Sequence, residues 1–334
     1  MKHKHTETRH TCKRLAAKLC VAAAIFGMTF FSGCAKSTAT KNEKISIVCT
    51  TFPQYDWVRN IISGSESKFS VALLMNKGTD LHNYQPTAQD MVRIASSDLF
   101  IHVGGESDVW VKDCLSEATN KSMTVINLIE LLGSRAKIEE IVEGMQHEGE
   151  EHEEAEQEYD EHVWLSLQNA AFFAGCITDA VCKLDCADEA LYRANAEKYI
   201  AQLEKLDEEY AQAVSSSKRK TVLFGDRFPF RYLVDDYGLE YFAAFAGCSA
   251  ESEASFETIA FLANKVSERA LPVVFTIEKS DQKIARSIIA NADTGAEVLV
   301  LDSMQSVTSK DIEAGANYIG IMAKNLEALK KALN

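Results

Sequence analysis

Carboxylates and imidazoles crowd one stretch of the chain, Glu148 to Leu167, which reads EGEEHEEAEQEYDEHVWLSL. Its first half is a run of acids with His147 at its edge and His152 inside it, too charged to enter a core and therefore a loop. Its second half turns apolar around His162, so an imidazole stands where the acid run meets packed structure. Carboxylate oxygens and imidazole nitrogens are together the donors of a divalent transition metal. A solvated acidic face with incidental histidines would produce the same run taken alone, but other loops weigh against it. Asp80 and His82 in TDLHNYQP, Asp226 and Arg227 in GDRFPF, and Asp302 in VLDSM each follow a short apolar run. Ligand-binding loops of open α/β sheets lie at the carboxyl ends of strands, so these residues can converge on one cleft. His102, inside the apolar run LFIHV, reads instead as a satisfied core histidine. Tyr84 and Trp164 read as packing that fixes the neighbouring imidazoles.

The elements that must position these loops alternate along the chain. Lys44 to Thr50, Phe69 to Leu74, Leu99 to Val103 and Met123 to Asn127 are short β-rich apolar runs separated by helical segments. The alternation restarts with Thr221 to Phe224, Leu239 to Ala244, Val273 to Ile277 and Glu297 to Leu301. Such alternation indicates parallel sheets covered on both faces. Between the two series lies a helical pattern from Asp188 to Val214 without Gly or Pro, carrying Tyr192, Ala196, Tyr199, Leu203, Leu206, Tyr210 and Ala213 at three- and four-residue steps. The expected fold is α/β, with an N-terminal lobe over 44–190, a rigid linker helix over 191–214 and a C-terminal lobe over 215–334. The acidic, histidine-containing loop spans 143–161 of the first lobe.

The N-terminus carries Lys2, Lys4, Arg9, Lys13, Arg14 and Lys18 before an apolar run from Leu19 to Phe31, followed by Ser32, Gly33 and Cys34. That is the pattern of a signal peptide over 1–33. The small residues before Cys34 are similar to a lipobox, which makes Cys34 the lipidated first residue and AKSTATKNE a polar tether over 34–43. No later segment offers the roughly 18 to 20 continuous apolar residues of a membrane span. The reading is an exported protein, held by lipid on the extracytoplasmic face of a membrane. A formal net charge of -14 without a basic cluster argues against nucleic acid. The mature cysteines include no CxxC pair, and spacing alone does not pair them.

DLHNYQPTAQD (Asp80 to Asp90), GGESDVW (Gly104 to Trp110), DEHVWL (Asp160 to Leu165), YGL (Tyr237 to Leu239) and LDSM (Leu301 to Met304) together resemble the metal-binding lipoproteins of ABC-type zinc and manganese importers. These are the cluster A-I, or zinc-transporter substrate-binding, proteins. The resemblance covers nearly the whole mature chain. It implies two four-stranded βα lobes, one long connecting helix, a metal site between the lobes and a monomer that hands its ion to a membrane permease. It also implies a His or Glu ten residues before Tyr237, where this chain has Arg227. A guanidinium carries donors only and cannot ligate a cation.

The expected ligands are therefore His82 and His162, with Asp302 third because it ends the run EVLVL and matches the family's LDS position. Asp226, which ends TVLFG beside Arg227, is the expected fourth, and Glu278 after VVFTI stands in reserve. Two imidazoles and two carboxylates suit Zn(II) and also Mn(II). Capture of Zn(II) for a permease is the leading reading, with Mn(II) capture, or a surface adhesin that uses metal as a clip, beside it. A metal-dependent hydrolase would need an open coordination position and a general base, and the chain has no HExxH, no GxSxG and no phosphate-cradling glycine loop. No enzymatic activity is expected.

Overall fold

Strands buried on both faces pair in parallel, because each crossover lays a helix over the sheet. The computed structural model, which describes residues 44–146, 158–249 and 253–334, contains two four-stranded sheets. The first holds β1 (Ile45–Cys49), β2 (Phe69–Leu73), β3 (Leu99–His102) and β4 (Thr124–Asn127) in the order β2-β1-β3-β4. The second holds β5 (Thr221–Phe228), β6 (Glu240–Ala246), β7 (Val273–Thr276) and β8 (Glu297–Val300) in the order β6-β5-β7-β8. All pairings within the sheets are parallel. The central strands β3 and β7 are buried at every residue, whereas the edge strand β8 is partly exposed along its length. Each sheet reverses its strand order at the centre, where ligand loops gather beyond the carboxyl ends.

One strand runs further than its apolar run suggested. β5 was expected to stop at Phe224, yet pairing with β6 resumes at Arg227 after a register shift. Gly225 makes this irregularity possible, since a Cβ there would come 2.5 Å from the Cα of Ala285. Asp226 and Arg227 thus sit in a bulge inside β5 rather than in a loop after it, and bulges re-aim side chains next to functional sites.

The linker is the helix Glu189–Ser216, 28 residues long and so about 42 Å from end to end. Its buried stripe is Tyr192, Ala196, Tyr199, Leu203, Leu206, Tyr210 and Val214, with Val214 in the place expected for Ala213. The stripe serves both lobes. Tyr199 Oη donates to Asp56 Oδ2 in the first lobe (3.3 Å), and Asp207 accepts from Tyr237 Oη in the second (2.7 Å).

Further ties cross between the lobes. The last helix, Tyr318–Leu333, donates its first backbone N–H to Asp56 Oδ2 (3.1 Å) and the Tyr318 hydroxyl to the carbonyl of Trp164 (2.5 Å). Trp164 in turn donates Nε1–H to the carbonyl of Ser303 (2.8 Å), and Ser309 N–H donates to the carbonyl of Asn76 (3.0 Å). These bonds tie the two lobes together. Among the described residues no helix is long and apolar enough to cross a membrane, and the six cysteines found there are free. Cys182 is buried, but Cys186 is exposed at its helix end. The leader, Cys34, the tether, His147 and His152 lie outside the described residues.

Candidate metal centre

Two turns bring the histidines together. Asp80 caps the short 3-10 turn Leu81–Asn83 after β2, its Oδ1 accepting the His82 N–H at 3.0 Å. Asp160 does the same for the turn that carries His162, its Oδ1 accepting the His162 N–H at 2.8 Å. Both are side-chain to backbone bonds of the kind Asp makes in tight turns. The outcome is an Nε2 to Nε2 distance of 3.2 Å between His82 and His162.

The other ring nitrogens decide what those Nε2 atoms carry. His162 Nδ1 lies 3.0 Å from Asp160 Oδ1, and His82 Nδ1 lies 3.3 Å from Glu161 Oε2 and 2.9 Å from Ser107 Oγ. A carboxylate accepts only, so His162 Nδ1 is its protonated nitrogen and its Nε2 turns a lone pair toward His82 Nε2. A proton or a cation between the two Nε2 atoms satisfies that lone pair. Tetrahedral zinc with Zn–N near 2.0–2.1 Å would set two nitrogens about 3.3 Å apart, close to the observed spacing. Imidazoles backed by carboxylates are the usual way a protein orients and strengthens a metal-binding nitrogen.

The surrounding charge favours a cation. Burial alone would lower the basicity of His162, but the carboxylates of Asp160, Glu161 and Asp80 outweigh it and raise its pKa. Glu161 and Asp80 would be pushed up by burial. Instead, hydrogen bonds from His82 and Ser107 hold Glu161 low, and the charges of Arg227 and His82 hold Asp80 low. His162 is fully buried, while the His82 side chain keeps 12% exposure beside an opening of about 240 Å³ lined also by Glu106, Glu158 and Cys248. An ion therefore has an approach on the His82 side.

The expected carboxylate ligands are placed elsewhere. Among the described residues the group of potential ligand atoms that lie within 4.8 Å of one another is His82, His162 and Cys248, without Asp226 or Asp302. Asp302 folds back on its own turn, Oδ1 accepting the Met304 N–H at 2.8 Å. Both Glu278 oxygens are occupied, Oε2 by Ser303 N–H (2.8 Å) and Oε1 by the N–H groups of Gln305 and Ser306 (each 3.1 Å). Burial, with the charge of Asp302 beside it, raises the pKa of Glu278, and burial raises that of Asp302. Asp226 Oδ1 accepts the Arg227 N–H (2.9 Å), and its buried Oδ2 has no partner among the described residues. It lines a separate cleft of about 460 Å³ with Asp80, Arg227 and Lys279. Arg227 donates to Asp80 Oδ2 at 2.6 Å across the lobes, so it steadies the carboxylate that caps the His82 turn.

Of the aromatic pair, Trp164 does pack edge-on against His162, with centroids 5.4 Å apart. Tyr84 instead packs on Trp110 and bonds Asp90. His102 is a core histidine, stacked on Phe100 and paired with Asp108 Oδ2 at 3.2 Å. The residue that sequence reasoning missed is Cys248. It follows β6 directly, and the strand-end rule applied to histidines and acids would have found it had thiols been included.

A family model described as the periplasmic component A of the zinc-uptake complex matches residues 47–332. The chain belongs to that family. Among curated relatives, the zinc-binding protein AdcA of Streptococcus pyogenes serotype M6 is 28% identical over 293 residues, 86% of this chain and 56% of its own. This chain thus spans little more than half the length of that relative. The high-affinity zinc uptake system protein ZnuA of Bacillus subtilis is 29% identical over 304 residues, covering 89% of this chain and 90% of its own. The Zn(II)-bound ZnuA-like domain of Streptococcus pneumoniae AdcA superposes with a TM-score of 0.68 at 28% identity, over 87% of this chain and 99% of that one. The two-lobed βα architecture expected from the resemblance is the one observed.

Proposed function

We propose that the protein captures Zn(II) outside the cytoplasm and passes it to the membrane permease of an ABC importer, with His82 and His162 as ligands. The observation that carries this reading is the pair of facing Nε2 atoms 3.2 Å apart, with a carboxylate beside the other nitrogen of each ring. Membership of the zinc-uptake family and the named zinc-binding relatives support it. The same site admits Mn(II), but the usual order of divalent affinities ranks Mn(II) far below Zn(II) on nitrogen donors. Asp302 and Asp226, the expected third and fourth ligands, do not share the ligand group of the imidazole pair.

Export and anchoring complete the proposal. Residues 1–33 act as the leader, Cys34 takes the lipid, and 34–43 hold a monomeric body away from the membrane, with lobes over 44–190 and 215–334 around a linker helix over 191–214. The test is uptake of radiolabelled zinc by a deletion strain in chelated medium. Restoration by the intact gene, and none by a His82→Ala/His162→Ala double variant found at normal level, is the expected result. Restoration by the double variant would overturn the reading.

A further inference from the structure

We infer that Cys248 is a third, thiolate ligand of the ion held by His82 and His162, supplied by the second lobe. The inference rests on the metal-capture reading and adds to it the donor that replaces the imidazole or carboxylate which Arg227 displaces from the family pattern. Cys248 offers its sulfur within 4.8 Å of a ligand atom on each histidine. Zn–S near 2.3 Å and Zn–N near 2.0–2.1 Å put sulfur and nitrogen about 3.6 Å apart in a tetrahedron, so a side-chain rotation or lobe closure of about 1 Å completes the site.

The backbone around Cys248 is built for this approach. β6 delivers Gly247 against the His162 ring, where a Cβ would meet Cε1 at 3.1 Å and Nδ1 at 3.3 Å as well as the Phe228 carbonyl at 2.8 Å. Only glycine lets the strand end pass so close to an imidazole of the other lobe. The Cys248 N–H is then held by Glu139 Oε1 at 3.0 Å, which ties the turn to the root of the acidic loop. That root is itself paired with β6, Gln146 N–H donating to the Ala244 carbonyl at 2.9 Å. The described cysteines Cys49, Cys114, Cys176, Cys182 and Cys186 do not share this cluster.

Coordination exchanges the S–H bond for S–Zn, with the proton passing to a buffer base. A thiolate beside two imidazoles favours Zn(II) over Mn(II), because soft sulfur ligands select zinc and hard oxygen ligands select manganese. Cys248 thus sets the metal preference of the site.

The test uses the full chain, stripped of metal and reloaded with Co(II) or Zn(II). The intact protein should show a near-ultraviolet thiolate-to-cobalt charge-transfer band, absent in Cys248→Ser and present in Cys186→Ser. Zinc should protect Cys248, but not Cys186, from iodoacetamide, as read by peptide mass. Cys248→Ala should lose more Zn(II) affinity than the 10–100-fold that loss of an outer partner typically costs, while Mn(II) affinity changes less than about tenfold because sulfur is a poor manganese ligand. A protein that binds zinc tightly but shows no such band and no protection overturns the thiolate, and leaves capture by the histidines standing. A protein that binds no zinc at all overturns the capture reading instead.

Discussion

The two sheets share one strand order, yet the loops at their carboxyl ends are put to different uses. In the first lobe the carboxylates of Asp160 and Glu161 lie against imidazoles, orient them and leave the ring nitrogens Nε2 free. In the second lobe both oxygens of Glu278 accept backbone N–H groups of the 303–306 turn, and Oδ1 of Asp302 accepts the Met304 N–H. Carboxylates thus face imidazoles in one lobe and backbone N–H groups in the other. What separates the roles is the hydrogen-bond partner, which the type of residue at a strand end does not reveal.

Breaking the first-lobe side should have the largest effect. His82→Ala and His162→Ala are each expected to weaken Zn(II) binding by more than about 100-fold, beyond the range seen when only an outer partner is removed, with the thermal unfolding of the metal-free protein retained. Two merely packed histidines would give the reverse, lost stability with affinity intact.

Asp160→Asn sharpens the comparison, because it spares the ligand and removes its orienter. A loss of about 10–100-fold is expected for such a partner. It should also move metal release. The folded-state pKa of His162 is raised, chiefly by Asp160 acting against burial, so in the wild type a proton competes with the ion as pH falls through a value above the ordinary 6.5. The substitution takes that raising charge away and should shift release to lower pH, as read by zinc titration at several pH values. An unchanged profile would mean that Asp160 does not act on the ring.

Arg227→Ala tests the bridge between lobes. Losing the partner of the Asp80 carboxylate should cost about 1–3 kcal/mol, the penalty for a buried polar group left unsatisfied, and change zinc affinity by less. The pKa of Asp80 is depressed in the folded state by Arg227 and His82, so the stability it contributes is present above its unfolded value and lost as pH falls. Denaturant melts from pH 6 down to 3 should show a shallower acid decline in the variant. For the second-lobe carboxylates, Asp302→Ala and Glu278→Ala should lower stability through the 302–306 turn while Zn(II) affinity moves less than about tenfold, short of the upper range for outer partners. A larger loss from Asp302→Ala would make it a ligand and erase the contrast between the lobes. Deleting Glu148 to Glu158 should have the smallest effect on tight affinity, since crowded carboxylates in water attract cations weakly; slower loading at low salt is the expected consequence.

The strands and the linker were legible because burial on both faces leaves near-continuous apolar runs, and a one-sided helix leaves a three- and four-residue stripe. His82 stands out in a polar turn after an apolar run and His162 where the acid run gives way to VWL, and the structure brings the two rings together. The bulge in β5 was not legible, because it depends on Gly225 passing the backbone of Ala285, a residue distant in sequence. Asp302 and Glu278 do stand at strand ends, but the Glu278 bonds to Ser303, Gln305 and Ser306 exist only once two strand ends lie side by side, whereas the Asp302 bond to Met304 is local. Cys248 was overlooked because a thiol after an apolar strand reads first as core.

The most direct measurement is an anomalous difference map at the zinc edge from crystals of the zinc-loaded protein. A peak about 2.0–2.1 Å from Nε2 of both His82 and His162, as tetrahedral zinc requires, is the expected result. A peak bonded to Asp226 or Asp302 without both imidazoles, or no peak between the lobes, would contradict the claim that two carboxylate-oriented histidines hold the ion.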